Sequence, residues 1–303
     1  MIKWLALVLF FLVKTSFSQS TCYLEKDYPL PKLSAEARNS YKAKWEEARE
    51  EFEKDSTNVE AIIWLGRRVA YLGNYKEAID IFTRGIALHP GDARLYRHRG
   101  HRYLTLRCFG KAIADFRRAA KLVKGKPDEI EPDGLPNARN IPTSTLQSNI
   151  WYHLGLCYFI NAEYKKAGRA YKKCLAVSAN PDMYVATANW MNIVLRRMKK
   201  DKKAMTLYNN MDPNAELIEN RDYEKLLQLY RDKPQEQDIE VYAATMRAGG
   251  ETVAAATLNF GLGYYCLLMG DREKAKSFFE KAIGTGQWSS FGYIAAETEL
   301  NRL

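Results

Sequence analysis

Arginine and histidine are concentrated in one short stretch, YRHRGHRYLTL at residues 96–106. Three arginines and two histidines fall within the six residues 97–102, namely Arg97, His98, Arg99, His101 and Arg102. Guanidinium groups bind carboxylates and other oxyanions, whereas two histidines three residues apart on a helix can share a metal ion. The stretch therefore raises two hypotheses, an anion-binding surface and a metal site.

Patterns that would build an enzyme are missing from the rest of the sequence. It contains no Gly-x-Ser-x-Gly, no His-Glu-x-x-His, no phosphate-binding glycine loop and no Cys-x-x-Cys. The acidic residues at 128–133 lack the spacing of a calcium loop. We therefore predict a protein without catalytic residues, metal or cofactor.

Residues 1–18 have the composition of a secretory signal peptide. The basic start MIK precedes the apolar run WLALVLFFLV, and KTSFS places serine at the −3 and −1 positions of a cleavage site before Gln19. The run is shorter than the roughly 20 residues that span a bilayer, and a retained anchor is the alternative. We expect export to the periplasm, or alternatively to the extracellular space. Loss of Lys3 and Lys14 would lower the net charge from +10 to +8.

A sequence pattern recurs along the chain with a period of 34 residues. Residues 65–90 and 99–123 align so that Gly66, Ala78 and Phe82 correspond to Gly100, Ala112 and Phe116. Residues 151–177 and 262–283 continue the same pattern. A fixed period of this length is typical of stacked helical or strand units.

The shared pattern, W-x2-L-G-x2-Y followed by A-x3-F and A, resembles the tetratricopeptide repeat. This resemblance implies two antiparallel helices per repeat, with small residues where the helices approach each other and large residues between repeats. A single pair cannot bury its apolar face, so pairs stack. We expect an all-α fold, a tetratricopeptide-repeat superhelix, which is an α-solenoid of helix-turn-helix pairs. Segments such as RLYRHRGHRY further resemble secreted bacterial repeat proteins of unassigned function.

The spacing of one packed alanine predicts how the array is divided. This alanine is Ala78, Ala112 and Ala167 in three clear repeats, Ala204 in a degenerate repeat and Ala275 in the last repeat. The predicted units are an extended segment 19–33, an array 34–303 with repeats 59–92, 93–124, 148–181, 185–211 (degenerate), 215–249 (highly diverged) and 256–287, an insertion 125–146, and capping helices 34–55 and 289–302.

The resemblance also implies where a ligand binds, because five positions of each first helix line a concave groove in this repeat family. The predicted ligand-binding residues at those positions are Arg67, Tyr71, Arg94, Arg97, His101, Asn149, Tyr152, Phe159, Asn189 and Arg196. The alternative is that part of the groove holds another helix of the same chain. A clamp for carboxylate tails of the chaperone-binding kind is not expected, because Ile63 and Arg67 stand where that clamp has lysine and asparagine.

The insertion is rich in acids and prolines, and we predict that it is ordered. Arg99 and Arg102 fall at repeat positions that are normally apolar or small, so they require anionic partners. The nearest acids free to fold back are Asp128, Glu129, Glu131 and Asp133. We therefore expect the insertion to cover the second repeat and neutralise both arginines, the alternative being a solvated acidic loop.

The repeat pattern also assigns the histidines and cysteines. His98 and His101 take repeat positions that point to different sides, so metal binding is not predicted. Three cysteines occupy packed positions and are predicted to be buried, namely Cys157, Cys174 and Cys266. Cys22 and Cys108 are predicted to be exposed, and whether they form a disulfide is left open.

A basic repeat array without catalytic groups is best interpreted as an exported scaffold that binds a protein or peptide partner, preferably acidic, through its concave groove. In a bacterium it would be an accessory of cell-envelope assembly or of a polysaccharide-utilisation system. The alternative is direct binding of an anionic polysaccharide by the arginines and aromatic residues of the groove. The second alternative is an unrecognised enzyme. Nucleic acid is not an expected partner of an exported protein, and no further segment is predicted to span a membrane.

Overall fold

The computed structural model describes residues 22–135, 137, 139–178, 180–212 and 214–303, so the predicted signal peptide lies outside the described residues. Over the described part of the chain, helices alternate with short turns, and the only strand-like pairing is a bridge between Ile130 and Thr145. The prediction of an all-α fold is confirmed.

Fourteen α-helices follow one another along the described residues. The first seven are α1 (Ala35–Lys54), α2 (Val59–Tyr71), α3 (Tyr75–Leu88), α4 (Ala93–Thr105), α5 (Phe109–Leu122), α6 (Leu146–Ile160) and α7 (Tyr164–Val177). The others are α8 (Pro181–Arg197), α9 (Asp201–Asn209), α10 (Arg221–Asp232), α11 (Ile239–Met246), α12 (Val253–Met269), α13 (Arg272–Gly284) and α14 (Phe291–Leu300).

Most of these helices pack as consecutive hairpins, in the order expected of a tetratricopeptide-repeat superhelix. Their first helices begin at side chains that accept hydrogen bonds from free backbone amides, such as Asn58 before α2, Asp92 before α4 and Thr145 before α6. These caps explain why each repeat starts where it does.

Glycines permit the close approach of the two helices within a repeat. A Cβ added at Gly66 would lie 2.5 Å from a ring carbon of Phe82, and one added at Gly155 would lie 2.5 Å from a ring carbon of Tyr171. Both aromatic rings are fully buried. The recurring glycine and aromatic residue therefore form one packing unit, as the repeat pattern predicts.

The predicted diverged repeat departs from a hairpin. Helix α10 packs between α8 and α12, whereas α11 packs on α12. The backbone at Lys233 adopts a left-handed conformation with φ of 49°, and Pro234, which has no backbone N–H to donate, follows it, so α10 ends here. A gap remains between α8, α10 and α12.

The array curls until its two ends meet. Trp288, in the turn between α13 and α14, belongs to the apolar core of the first repeats and stacks on Tyr28 with ring centroids 5.5 Å apart. The guanidinium of Arg107, in the turn between α4 and α5, lies 3.8 Å from the same indole ring. Arg107 Nε also pairs with Glu297 Oε2 of α14 at 2.8 Å. The concave face is thus enclosed by the chain's own ends.

A disulfide joins Cys22 to Cys108 and fixes the N-terminal segment at the same place. The backbone amide of Tyr23 donates to the Leu106 carbonyl at 2.8 Å. Cys108 is buried beneath this segment, so the expectation that it is exposed was wrong. The predicted burial of the other three cysteines is confirmed.

Candidate functional site

The structure covers most of the ten side chains that the sequence placed in an open groove. Six are buried, namely Arg67, Arg97, Asn149, Tyr152, Phe159 and Asn189. The remaining four, Tyr71, Arg94, His101 and Arg196, are partly exposed. An open channel along the whole concave face, as the sequence suggested, is therefore not present in the described part of the chain.

Helices of the same chain fill the middle of the groove. The Phe159 ring on α6 lies 5.5 Å from Tyr264 and 6.2 Å from Phe260, both on α12. Tyr152 approaches Phe291, the first residue of α14, at 6.2 Å. The apolar surfaces of α12 and α14 are large enough to require burial, and the concave face supplies it. The alternative of an internally occupied groove describes this region.

The insertion roofs the first part of the groove. The Arg97 Nη2 atom pairs with Glu131 Oε1 at 2.9 Å, and both side chains are more than nine-tenths buried. Arg67 donates to the Pro132 carbonyl at 2.7 Å, and Arg68 donates to the Gly134 carbonyl at 2.6 Å. The insertion therefore covers the predicted groove face of the first two repeats.

Arg99 and Arg102, which the insertion was expected to neutralise, do not pair with its acids. Arg99 forms a two-pronged ion pair with Asp115 of α5, with both N–O distances 2.8 Å. Arg102 lies 5.6 Å from the Tyr75 ring and has no acidic partner among the described residues. The expected pairing was wrong, because α5 supplies the acid for Arg99 and the insertion's Glu131 reaches Arg97 instead.

The histidines face the same arginines. Arg97 Nη1 lies 3.2 Å from His98 Nδ1 and 3.5 Å from His101 Nδ1. The His98 ring packs on Phe82 of the preceding hairpin and the His101 ring on His153 of the next one, so the two rings point to different sides as expected. Burial lowers the pKa of both rings well below the usual value, and nearby arginines add to the effect. Within the described ranges, no group of three histidine, cysteine or acidic residues is arranged to hold a metal ion.

One cavity of about 230 Å³ lies beneath the insertion and is lined by Arg67, Arg97, His101, Arg102 and Asn149. We call it the arginine cavity. Its other lining residues include His98, Tyr71, Glu131 and Asp133. The structure thus brings together five of the predicted groove residues, namely Arg67, Tyr71, Arg97, His101 and Asn149, but inside a roofed cavity.

Arg94 stands apart from this cavity. Its guanidinium pairs with Asp92 at 2.6 Å and with Glu60, and these hydrogen bonds raise the pKa of Arg94 further above its usual value. Both donor edges are therefore satisfied within the protein, which makes Arg94 a poor candidate for contact with a ligand.

A second, larger opening lies where the C-terminal ends of three helices come together. Its volume is about 1140 Å³, and it occupies the gap between α8, α10 and α12. We call it the C-terminal cleft. It contains Arg196, the last of the predicted groove residues, whose guanidinium lies 4.8 Å from the Tyr230 ring and pairs with Asp201 at 3.0 Å.

The C-terminal cleft combines apolar surface with an excess of positive charge. Leu267 and Leu268 are partly exposed at the end of α12, and Met269 is 69% exposed. Five basic side chains and three acidic ones line the cleft. The basic side chains are Arg196, Arg197, Lys199, Lys233 and Arg272, and the acidic ones are Asp201, Asp271 and Glu273.

Sequence reasoning missed most of this cleft. Lys233 and Tyr230 belong to the diverged pair, where no repeat position could be assigned. The signal that was present is Lys233-Pro234, because a proline directly after a helix prevents the regular repeat turn. Within the described residues, no helix is both long and apolar enough to pass through a membrane.

Comparison with known proteins agrees with the helix packing. The tetratricopeptide repeat family model matches residues 148–181 and 256–285. Human tetratricopeptide repeat protein 13 is 34% identical over 102 residues, which are 33% of this chain and 12% of that protein. The chain thus matches about an eighth of the length of this curated relative.

Solved structures with a similar fold share little sequence with the chain. A tetratricopeptide repeat protein from Parabacteroides merdae is 16% identical, with a TM-score of 0.49 over 88% of this chain and 94% of that one. YrrB, a repeat protein described as having an unusual peptide-binding site, is 13% identical, with a TM-score of 0.43 over 78% and 91% of the two chains. The fold assignment rests on the repeat spacing and helix packing described above.

Proposed function

We propose that this chain, which has the repeat spacing and helix packing of tetratricopeptide repeats, is an exported, non-catalytic scaffold that holds an acidic, partly apolar segment of a partner protein in its C-terminal cleft. Repeat arrays of this kind present extended surfaces to protein partners. The single observation that carries the proposal is the open cleft of about 1140 Å³ with a basic rim and exposed leucine and methionine side chains.

The chemistry of the cleft favours such a segment. Leu267, Leu268 and Met269 offer flexible apolar contact at the cleft's floor and edge, and methionine adapts readily to different partners. Lys199 and Lys233 are exposed and have no ion pair among the described residues, so a carboxylate can approach them without displacing an internal partner. Charge complementarity of this type speeds association and selects acidic partners.

The concave face itself is less suitable for a macromolecule. The middle is filled by α12 and α14, and the first part is roofed by the insertion. A long anionic polysaccharide would need those parts open, so the direct polysaccharide binder is not the function we propose. A partner protein requires only the cleft.

Export is part of the proposal and has two supports. The sequence at residues 1–18 has the features of a secretory signal peptide. The disulfide between Cys22 and Cys108 is of a kind that persists in oxidising compartments. We therefore place the scaffold in the periplasm, where it would serve an envelope assembly or polysaccharide-utilisation system.

Fluorescence polarisation with a labelled peptide of alternating glutamate and leucine tests the cleft. We expect saturable binding that weakens at least tenfold in Lys199→Glu/Lys233→Glu and is absent for the same peptide with lysine in place of glutamate. The matched control is Lys165→Glu/Lys172→Glu, which changes the net charge equally at exposed positions of α7. Equal weakening in both double variants would mean that overall charge, and not the cleft, binds the peptide.

A further inference from the structure

The arginine cavity holds more positive than negative charge. Arg67, Arg97 and Arg102 face it, whereas Glu131 and Asp133 are its two acids. Burial lowers the pKa values of His98 and His101, so both rings are neutral near pH 7 and add no charge. Uncompensated charge in a sheltered site is costly, and a bound anion would remove that cost.

Several polar atoms in and around the cavity have no hydrogen-bond partner. Arg67 Nε and Arg97 Nε are buried donors without an acceptor, and both side chains are more than nine-tenths buried. Glu131 Oε2 and Asp133 Oδ2 are buried acceptors without a donor. Buried polar atoms are normally paired. These four atoms are shielded even from a water molecule, so they show that the wall of the cavity is polar and incompletely paired, and they are not themselves ligand contacts.

Arg102 gives an independent indication. Its side chain is partly buried and faces the cavity, and it has neither an ion pair nor a hydrogen bond among the described residues. Burial and the neighbouring arginines Arg97 and Arg67 lower its pKa to about 10, which shows how poorly the surroundings support its charge. Arg99, one helical turn earlier, has its own carboxylate. The Arg102 guanidinium is therefore open to an external anion.

The size of the cavity limits what can enter. A volume of about 230 Å³ exceeds many times the roughly 10–15 Å³ that one water requires. The insertion closes one side through Glu131 and the Pro132 carbonyl. A small molecule of several non-hydrogen atoms therefore fits.

The geometry points to a binding site for a small organic acid that also carries hydroxyl or amine donors. Its carboxylate would lie against the Arg102 guanidinium, and its donors would face the acidic side of the cavity formed by Glu131 and Asp133. This site is separate from the C-terminal cleft and does not depend on what the cleft binds.

Thermal unfolding of the full chain with a panel of small acids tests the site. The probes are D-glucuronate, L-glutamate and L-glycerate, compared with D-glucose, inorganic phosphate and potassium chloride at equal ionic strength. We expect at least one of the three acids to raise the unfolding midpoint by about 4 °C at saturation, since a ligand that binds only the folded state stabilises it. We expect neither glucose nor the chloride to do so.

The variant Arg102→Met distinguishes a ligand site from a structural arginine. Without ligand its midpoint should equal or exceed that of the unaltered protein, because it removes an unneutralised charge, and the acid-induced rise should disappear. Arg117→Met, at an exposed position of α5, is the matched control and should keep the rise.

Four results would overturn the inference. The first is that no acid raises the unfolding midpoint more than potassium chloride does, and the second is an undiminished rise in Arg102→Met. The third is that glucose raises the midpoint as much as glucuronate does, and the fourth is an Arg102→Met chain that does not fold. Equal stabilisation by phosphate and the organic acids would also overturn it, because the hydroxyl or amine donors assigned to Glu131 and Asp133 would then take no part.

Discussion

The ion pair between Arg99 and Asp115 replaces the pairing with the insertion that the sequence predicted. Asp115 is 5% exposed, and burial raises the pKa of its carboxyl while the Arg99 guanidinium opposes that shift. Removing the arginine therefore leaves a buried acid without its partner. The loss of folding stability then exceeds the net stability that the intact ion pair contributes.

We expect Arg99→Leu to lower the free energy of unfolding by about 3 kcal/mol, the lower end for a broken buried pair because Arg99 is partly exposed. Arg99→Leu/Asp115→Leu should recover most of that loss. The deficit of the single variant should shrink below about pH 4, since a raised folded-state pKa favours the protonated acid at low pH and costs stability as pH rises. Urea unfolding at pH 7 and pH 3.5 measures both effects.

A single variant as stable as the unaltered protein would show that the pair contributes little. The sequence could identify Arg99 as misplaced for its repeat position, but not its partner. Asp115 is 16 residues away on the second helix of the same hairpin, and a pattern of helix faces does not show which side chains meet across it. The prediction therefore chose acids in the insertion, although they are farther away in sequence than Asp115.

At the scale of elements, the insertion is held against α2 by very close contact. A Cβ added at Gly134 would lie 1.8 Å from the Tyr71 hydroxyl oxygen. The Gly134 carbonyl also accepts a hydrogen bond from Arg68. Space at this glycine therefore decides whether the insertion can cover the arginine cavity.

We expect Gly134→Val to displace the insertion from α2 and to lower the free energy of unfolding by about 1–3 kcal/mol, as for other overpacked sites. Limited proteolysis should then cleave within 125–145 faster than in the unaltered protein. Gly91→Val is the control, because a Cβ there meets nothing within 4 Å. Unchanged cleavage in Gly134→Val would mean that the contact with Tyr71 does not hold the insertion.

Elements with a strong repeat pattern could be predicted from the sequence, and the others could not. Gly66 and Phe82 identify a hairpin because their spacing reflects one packing contact. The diverged pair lacks such residues, and its helices separate to form the C-terminal cleft. The candidate sites arise where the pattern fails, at the insertion and at Lys233-Pro234, so periodicity alone could not locate them.

The contact between the first and last repeats cannot be predicted from any local sequence pattern. In an open repeat array each unit contacts only its neighbours, and damage at one end stays local. Here Trp288 from the last turns is in contact with Tyr28, Tyr75 and Arg107 from the first part of the chain. The first and last repeats should therefore unfold together.

We expect Trp288→Ala to lower the free energy of unfolding by about 3–5 kcal/mol, as for other large buried aromatic residues. Amide hydrogen exchange followed by mass spectrometry should show lost protection in α2 to α5, far away in sequence, as well as in α13 and α14. The matched control is Phe278→Ala, which empties a similar buried volume in α13 without touching the first repeats. Its loss of protection should stay near α12 to α14. If both variants lost protection only in the last helices, the ends would be in contact without being coupled, and the molecule would behave as an open array.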